Sequence, residues 1–140
     1  MRLRDVELGD VSVYVRMRCD PAMMAELGGP LPREGVEEKV ARDVRTAAEG
    51  TDWIKMIVPD EVAPEVVAGN VVLWSHDEDD GAPISEIGWM VLPEFQGRGL
   101  GKRAHGTMLR QKFDSSETSN YRVSHDPYRA GVGAAVSQGR

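Results

Sequence analysis

The sequence predicts a mixed α/β fold, in which one sheet is flanked by helices. Apolar residues recur at three- and four-residue spacing over residues 36–47 and again over residues 100–108, which is the helical period. Three strand-like runs lie between these two segments. A proline and a glycine-rich loop then separate the last run from the second helix.

The segment before the first amphipathic helix contains two shorter elements. Residues 2–8 alternate loosely between apolar and charged side chains, which predicts an edge strand. Asp10 can cap a short helix from Val11 to about Arg18, and we favour this helix over the strand that the alternating valines would also allow. Residues 28–32 are rich in glycine and proline and predict a loop. The amphipathic helix should then begin near Val36 and end near Gly50.

The three strand-like runs cover residues 53–58, 66–74 and 84–92. The polar segment 75–81 separates the last two runs, so we expect them to form an antiparallel hairpin. Its acidic residues are expected to form a solvated loop tip, because no second cluster of metal ligands accompanies them. The three histidines likewise show no metal-ligand spacing, so no metal site is predicted.

Composition indicates one globular domain over residues 1–140, with 41% apolar and 29% charged residues. Cys19 is the one cysteine and cannot form an internal disulfide. No apolar signal core or membrane-length run is present, so a cytoplasmic location is expected. The net charge of −6 argues against general nucleic-acid binding. Acidic residues predominate up to Leu92 and basic residues after it, which fits either an anionic ligand or ordinary surface solvation.

Residues 86–102 contain the segment that is predicted to bind a ligand. They form a strand, a proline-marked turn, a glycine-rich loop and the start of a helix. A helix N-terminus presents N–H groups and partial positive charge, and glycines let a phosphate approach them closely. Arg98, Lys102 and Arg103 add positive charge around this point. The segment therefore predicts a phosphate or pyrophosphate site.

Two other phosphate-binding motifs resemble this segment, but each lacks a residue or an element that it requires. Residues 99–104 match G-x-G-x-x-A, but the strand ending in an acidic residue that a dinucleotide fold requires does not follow. A P-loop requires G-x-x-x-x-G-K-[ST], whereas Gln96 occupies the first glycine position and Arg103 the last position.

The sequence Gln96-Gly97-Arg98-Gly99-Leu100-Gly101 resembles the Q/R-x-x-G-x-G/A signature of the GNAT superfamily of N-acetyltransferases. It follows a strand ending in Leu92-Pro93, as the family presents it. Over residues 1–112 the order of elements resembles the RimJ/RimL-like branch. The resemblance implies a GNAT-type sheet and acetyl-coenzyme A as co-substrate, without a metal. It also implies an acceptor that is a primary amine of a small molecule or a protein N-terminus.

The resemblance also assigns roles to residues. Glu86, at the start of the fourth strand, stands where many relatives carry the general base for the amine. Met23 and Met24 could line the acceptor pocket or pack in the core. The residues implied in coenzyme A binding through the fourth strand and the glycine-rich loop are Met90, Val91, Leu92, Gln96, Gly97, Arg98, Gly99, Leu100, Gly101 and Lys102.

The C-terminal part departs from the family pattern. Arg122-Val123-Ser124 is at most a stub of the next strand, the family's Gly-Phe pair is missing, and neither Tyr121 nor Tyr128 lies in the motif that supplies a general acid. A shortened natural variant and a reading frame altered after about Arg110 both explain this. We therefore expect an incomplete sheet, a segment 114–140 that is poorly ordered or irregular, and a homodimer that packs near the open edge. A coenzyme-A-binding module without turnover is the alternative function.

Overall fold

The computed structural model describes residues 1–25, 27–77, 81, 83–112, 121–124 and 135–137. Its elements in chain order are β1 (Arg2–Asp5), a 3-10 helix (Leu8–Asp10), α1 (Val11–Arg18), α2 (Val36–Glu49), β2 (Trp53–Val58), β3 (Gly69–Asp77), β4 (Pro83–Val91), a second 3-10 helix (Pro93–Phe95), α3 (Leu100–Lys112), β5 (Tyr121–Ser124) and β6 (Ala135–Ser137). The mixed α/β class is confirmed. None of the helices in the described ranges is long and apolar enough to cross a membrane.

The six strands form one sheet in the order β1-β2-β3-β4-β5-β6. Neighbours from β1 to β4 are antiparallel, β5 runs parallel to β4, and β6 is antiparallel to β5. The predicted hairpin of β3 and β4 is confirmed, with Gly69 opposite Val91 and Trp74 opposite Glu86. The parallel β5 is reached through α3, which fits the crossover that parallel strands require.

Each face of the sheet packs against its own helices, because successive strand side chains point to opposite faces. Val72, Trp74 and Met90 face α1 and α2 and belong to the larger apolar cluster. Ile87 faces α3 on the other side. The helical repeat predicted for α3 is confirmed, since its three apolar members are all buried there: Leu100, Ala104 and Met108.

Helix α2 contributes both apolar residues and one buried carboxylate beside the larger apolar cluster. Val36 and Val40 are buried, and the helix ends at Gly50 with a φ of 77°, which a glycine adopts without strain. Asp43 is also buried, and its carboxylate accepts hydrogen bonds from Tyr14 Oη at 2.6 Å and from Lys39 Nζ at 2.8 Å. This pairing offsets the cost of burying the charge.

Strand β3 begins at Gly69, three positions later than the apolar run predicts. At Gly69 the backbone of β4 comes so close that a Cβ atom would lie 1.9 Å from the carbonyl oxygen of Met90. Only glycine fits at this approach. The start of β3 is therefore set by contact with β4, which local sequence does not reveal.

The C-terminal segment corrects one expectation. Residues 121–124 and 135–137 form β5 and β6, so the sheet does not end at β4 and the segment 114–140 is not irregular throughout. The stub at Arg122–Ser124 is part of β5, whereas β6 was not predicted. The edge of β4 that was expected to be open is paired over Ser85–Ile87. The remaining residues of 113–140 lie outside the described residues.

Candidate functional site

A cleft of about 600 Å³ opens where β4 passes beyond its pairing with β5 and α3 begins. Among the described residues, the pairing of β4 with β5 ends at Ile87, and the following part of β4 borders the cleft. Its volume is that of an ordinary ligand site. The lining residues come from β4, the glycine-rich loop, the start of α3 and the loop after α1: Ala22, Met23, Leu27, Trp89, Met90, Val91, Pro93, Phe95, Gln96, Gly97, Gly99, Leu100, Gly101 and Lys102.

Most of the residues predicted to bind coenzyme A meet at this cleft, and two do not line it. The side chain of Leu92 is buried in the cluster beneath α1 and α2. The guanidinium of Arg98 lies over the ring of Phe95, 5.3 Å from its centroid. Arg98 therefore flanks the cleft from the loop.

The glycine-rich loop has the conformation that an anion site needs. Gly97 and Gly99 have φ values of 81° and 73°, and a Cβ atom at either position would meet open space. The N–H of Arg103 donates to the Gly99 carbonyl at 3.0 Å, which closes the first turn of α3. The N–H groups of Leu100 to Lys102 consequently have no acceptor within the helix. These groups and the helix dipole favour a bound anion.

The edge of β4 determines which backbone groups face the cleft. Leu92 N–H donates to Ala68 at 2.7 Å, and the Met90 carbonyl oxygen lies against Gly69, so both residues turn these groups toward β3. The Val91 carbonyl points the other way. By strand alternation the backbone of Trp89 shares the direction of Val91. The sequence predicted Trp89 only as a core or cleft-lining residue and not as a coenzyme A contact, although alternation along β4 was the signal that could have placed its backbone at this edge.

Gln96 connects the loop to this edge. Its side-chain Nε2 donates to the Val91 carbonyl oxygen at 2.9 Å, while the N–H of Phe95 donates to the Leu92 carbonyl at 2.9 Å. The side-chain amide and the 3-10 helix together fix the loop to the end of β4.

The opposite wall of the cleft is apolar. Ala22, Met23 and Leu27 line it; Met23 also packs against the larger apolar cluster, and Met24 is buried within that cluster. Beside this wall, Arg16 of α1 donates to Glu94 at 2.7 Å, joining α1 to the turn after β4. The pKa of Glu94 is lowered, first by this hydrogen bond from Arg16.

Glu86 lies away from the cleft surface. Its side chain is buried on the face that packs against α1 and α2, opposite Trp74, and it is not among the lining residues. It precedes Met90 by four residues, which corresponds to about 13 Å along a strand. Along β4 the cleft therefore begins beyond Glu86, at Trp89.

His105 adjoins the cleft through Trp89. The two rings are stacked, with centroids 4.9 Å apart and planes inclined by 25°. Burial lowers the pKa of His105 below its ordinary value. His125 and Tyr128 lie outside the described residues. Within the part of the chain that is described, no group of three or more His, Cys, Asp or Glu side chains could hold a metal ion.

Residues 1–134 match the family model described as the acetyltransferase (GNAT) domain. A search of curated proteins gave no significant match.

Solved structures share the fold at low sequence identity. A GNAT-family acetyltransferase from Bacillus anthracis is 17% identical with a TM-score of 0.66, over 91% of this chain and 71% of that one. RimL, a ribosomal L7/L12 alpha-N-protein acetyltransferase, is 15% identical with a TM-score of 0.59, over 93% and 71%. The microcin C7 self-immunity acetyltransferase MccE, solved with acetyl-CoA and AMP, is 14% identical with a TM-score of 0.61, over 93% and 73%. With nearly the whole sequence matched by the family model, this chain belongs to the GNAT acetyltransferase family.

Proposed function

We propose that this protein transfers an acetyl group from acetyl-coenzyme A to a primary amine. The observation that carries the proposal is that one cleft joins the part of β4 beyond Ile87, which pairs with β5 nowhere in the described residues, to a glycine-rich helix N-terminus. The first can hydrogen-bond an extended amide-containing chain, and the second can hold a pyrophosphate. Coenzyme A contains both groups in one molecule.

The residues present fit such a ligand. The N–H groups of Leu100 to Lys102 face the pyrophosphate, and the Lys102 ammonium adds positive charge at the cleft wall. The backbone of Trp89 and the N–H of Val91 form the edge available to the pantetheine arm, because the Val91 carbonyl oxygen already accepts from Gln96. Gln96 acts by fixing the loop to Val91. Acetyl-coenzyme A, when bound, supplies an acetyl group activated as a thioester.

The acceptor enters, on this proposal, beside the apolar wall of Ala22, Met23 and Leu27. It is a primary amine of a small molecule or of a protein N-terminus, and the name of RimL gives a precedent for the second. A protonated amine has no lone pair, so a base must remove a proton before attack. We assign this role to Glu86, acting through bound water because the carboxylate is buried.

A coenzyme-A-binding module without turnover is the second candidate, and the burial of Glu86 favours it. Among the described residues that line the cleft there is no carboxylate, histidine or tyrosine. Binding would then depend on the same loop and edge, while acetyl transfer would not occur.

Acetyl-coenzyme A and a panel of primary amines and N-terminal peptides distinguish the two candidates. We expect amine-dependent release of coenzyme A thiol and an acceptor that gains one acetyl group by mass spectrometry. Binding without acetylated product would support the module. Absence of coenzyme A binding at millimolar concentration would contradict both.

We also propose a homodimer, with a smaller contact surface than the sequence predicts. Pairing with β5 covers β4 as far as Ile87, so a second copy would pack near this edge and leave Trp89 and Val91, which border the coenzyme A cleft, open to the ligand. We propose that the full chain forms one domain. Sedimentation of the full chain should show a dimer. A stable monomer over the micromolar range would contradict this part of the proposal.

A further inference from the structure

Trp89 and Gly101 occupy one space between β4 and α3. A Cβ atom at Gly101 would lie 2.5 Å from Nε1 and 2.6 Å from Cδ1 of the Trp89 indole. Both contacts are shorter than any ordinary carbon contact. The indole therefore fills the volume that the smallest side chain at position 101 would need.

The indole cannot move aside cheaply. Its ring is stacked on His105, one helical turn beyond Gly101 on the same face of α3. Its backbone belongs to β4, where the neighbouring Ile87 is fully buried against α3. Trp89 is thus held by the ring of His105 on α3 and by its own backbone in β4.

Backbone conformation does not explain the glycine. Unlike Gly97 and Gly99, Gly101 has no positive φ, and a glycine inside a helix costs about 0.5–1 kcal/mol relative to alanine. The GNAT signature allows glycine or alanine at this position. In this chain the indole of Trp89 leaves room for glycine and not for the Cβ atom of alanine.

We infer that Trp89 is a positioning residue for the proposed coenzyme A site. By filling the space above Gly101, it sets the distance between the β4 edge and the N–H groups at the start of α3. A ligand that contacts both elements requires that distance, whereas a ligand that contacts one of them does not. This inference rests on the proposed function, since it concerns the same cleft.

The test is a double-mutant cycle in coenzyme A binding, with calorimetry on the full chain. Gly101→Ala should weaken coenzyme A binding at least tenfold, because the helix start must move away from Trp89. Trp89→Val removes the atoms that Cβ would meet. Adding Gly101→Ala to Trp89→Val should therefore produce no further loss. Two independent, multiplying losses would overturn the inference.

Ligand fragments separate positioning from local damage. ADP carries the pyrophosphate, and pantetheine carries the arm, so each engages one element. Gly101→Ala should change the affinity for either fragment less than threefold while coenzyme A loses tenfold or more. An equal loss for ADP and coenzyme A would show that the helix N-terminus itself is damaged, and would contradict positioning by Trp89.

Gly106→Ala is the matched control on the same helix. A Cβ atom there would meet only the flexible end of Arg110, at 3.3 Å, so coenzyme A affinity should not change. If Gly101→Ala does not fold, the comparison is between Trp89→Val and the double variant. These two should fold and bind alike, and an unfolded double variant would contradict the inference. Failure of the wild-type chain to bind coenzyme A would instead contradict the proposed function.

Discussion

The side-chain amide of Gln96 donates a hydrogen bond of 2.9 Å to the carbonyl oxygen of Val91. This bond joins the first residue of the glycine-rich signature to the strand edge that borders the cleft. The signature glutamine thus holds the loop in place from the side, while the glycines and the helix N-terminus face the ligand.

Loss of this bond should loosen the loop. Gln96→Leu is expected to weaken coenzyme A binding about fivefold, since a net hydrogen bond contributes about 1 kcal/mol. Calorimetry measures the change. Gln111→Leu makes the same substitution on the exposed surface of α3 and should leave the affinity unchanged. Equal affinities for Gln96→Leu and the wild type would show that the bond does not support the site.

The close approach of β3 and β4 predicts a large effect on stability at Gly69. Gly69→Ala would place Cβ 1.9 Å from the Met90 carbonyl oxygen, so the strands must separate. The free energy of unfolding should fall by about 3 kcal/mol, as for an overpacked core. Urea denaturation measures this. Gly9→Ala, where Cβ meets open space, should change stability by less than about 0.5 kcal/mol. A similar small change at Gly69 would contradict the contact.

Glu86 tests whether the buried carboxylate takes part in turnover. Glu86→Gln should lower kcat about 100-fold while coenzyme A affinity stays nearly constant. The loss should shrink as pH rises, because more of the amine is then already neutral. Glu49→Gln, an exposed glutamate at the end of α2, is the matched control. Unchanged turnover in Glu86→Gln at neutral pH would reduce Glu86 to a structural role.

His105 makes stability depend on pH. Burial lowers its pKa in the folded chain, so below about pH 6.5 the unfolded chain takes up a proton more readily. The free energy of unfolding should therefore decrease as pH falls from 7 toward 5. His105→Phe keeps a ring on Trp89 and removes this titration, so its profile should be flatter over that range. If the free energy of unfolding depends on pH in the same way in the wild type and in His105→Phe, His105 is not the group responsible.

Local patterns predicted the elements that depend on local interactions. The bounds predicted for α1 and β2 agree with the structure, and the helical face of α3 is the one that packs on the sheet. Periodicity suffices there because each element buries the side chains that its own period places together. The glycine-rich loop was likewise placed correctly between β4 and α3.

Features that depend on contacts distant in sequence could not be predicted in this way. The start of β3 is set by Gly69 against Met90, and the glycine at position 101 by the indole of Trp89. Strand β6, which pairs with β5, has only three residues and no period of its own. The burial of Glu86 also depends on packing by other elements, which the strand pattern alone does not specify.

A matched pair of glycines tests the proposal that coenzyme A binds through the glycine-rich loop. Gly99 and Gly50 have φ values of 73° and 77°, and a Cβ atom at either would meet open space. Alanine should therefore destabilise the fold similarly at both, by about 1 kcal/mol. Only Gly99 lies at the cleft.

Calorimetric titration of coenzyme A into the wild type, Gly99→Ala and Gly50→Ala is the most direct measurement. We expect wild-type affinity for Gly50→Ala and a loss of at least about tenfold, or 1.4 kcal/mol, for Gly99→Ala. Folded Gly99→Ala protein that binds coenzyme A as tightly as Gly50→Ala would contradict it.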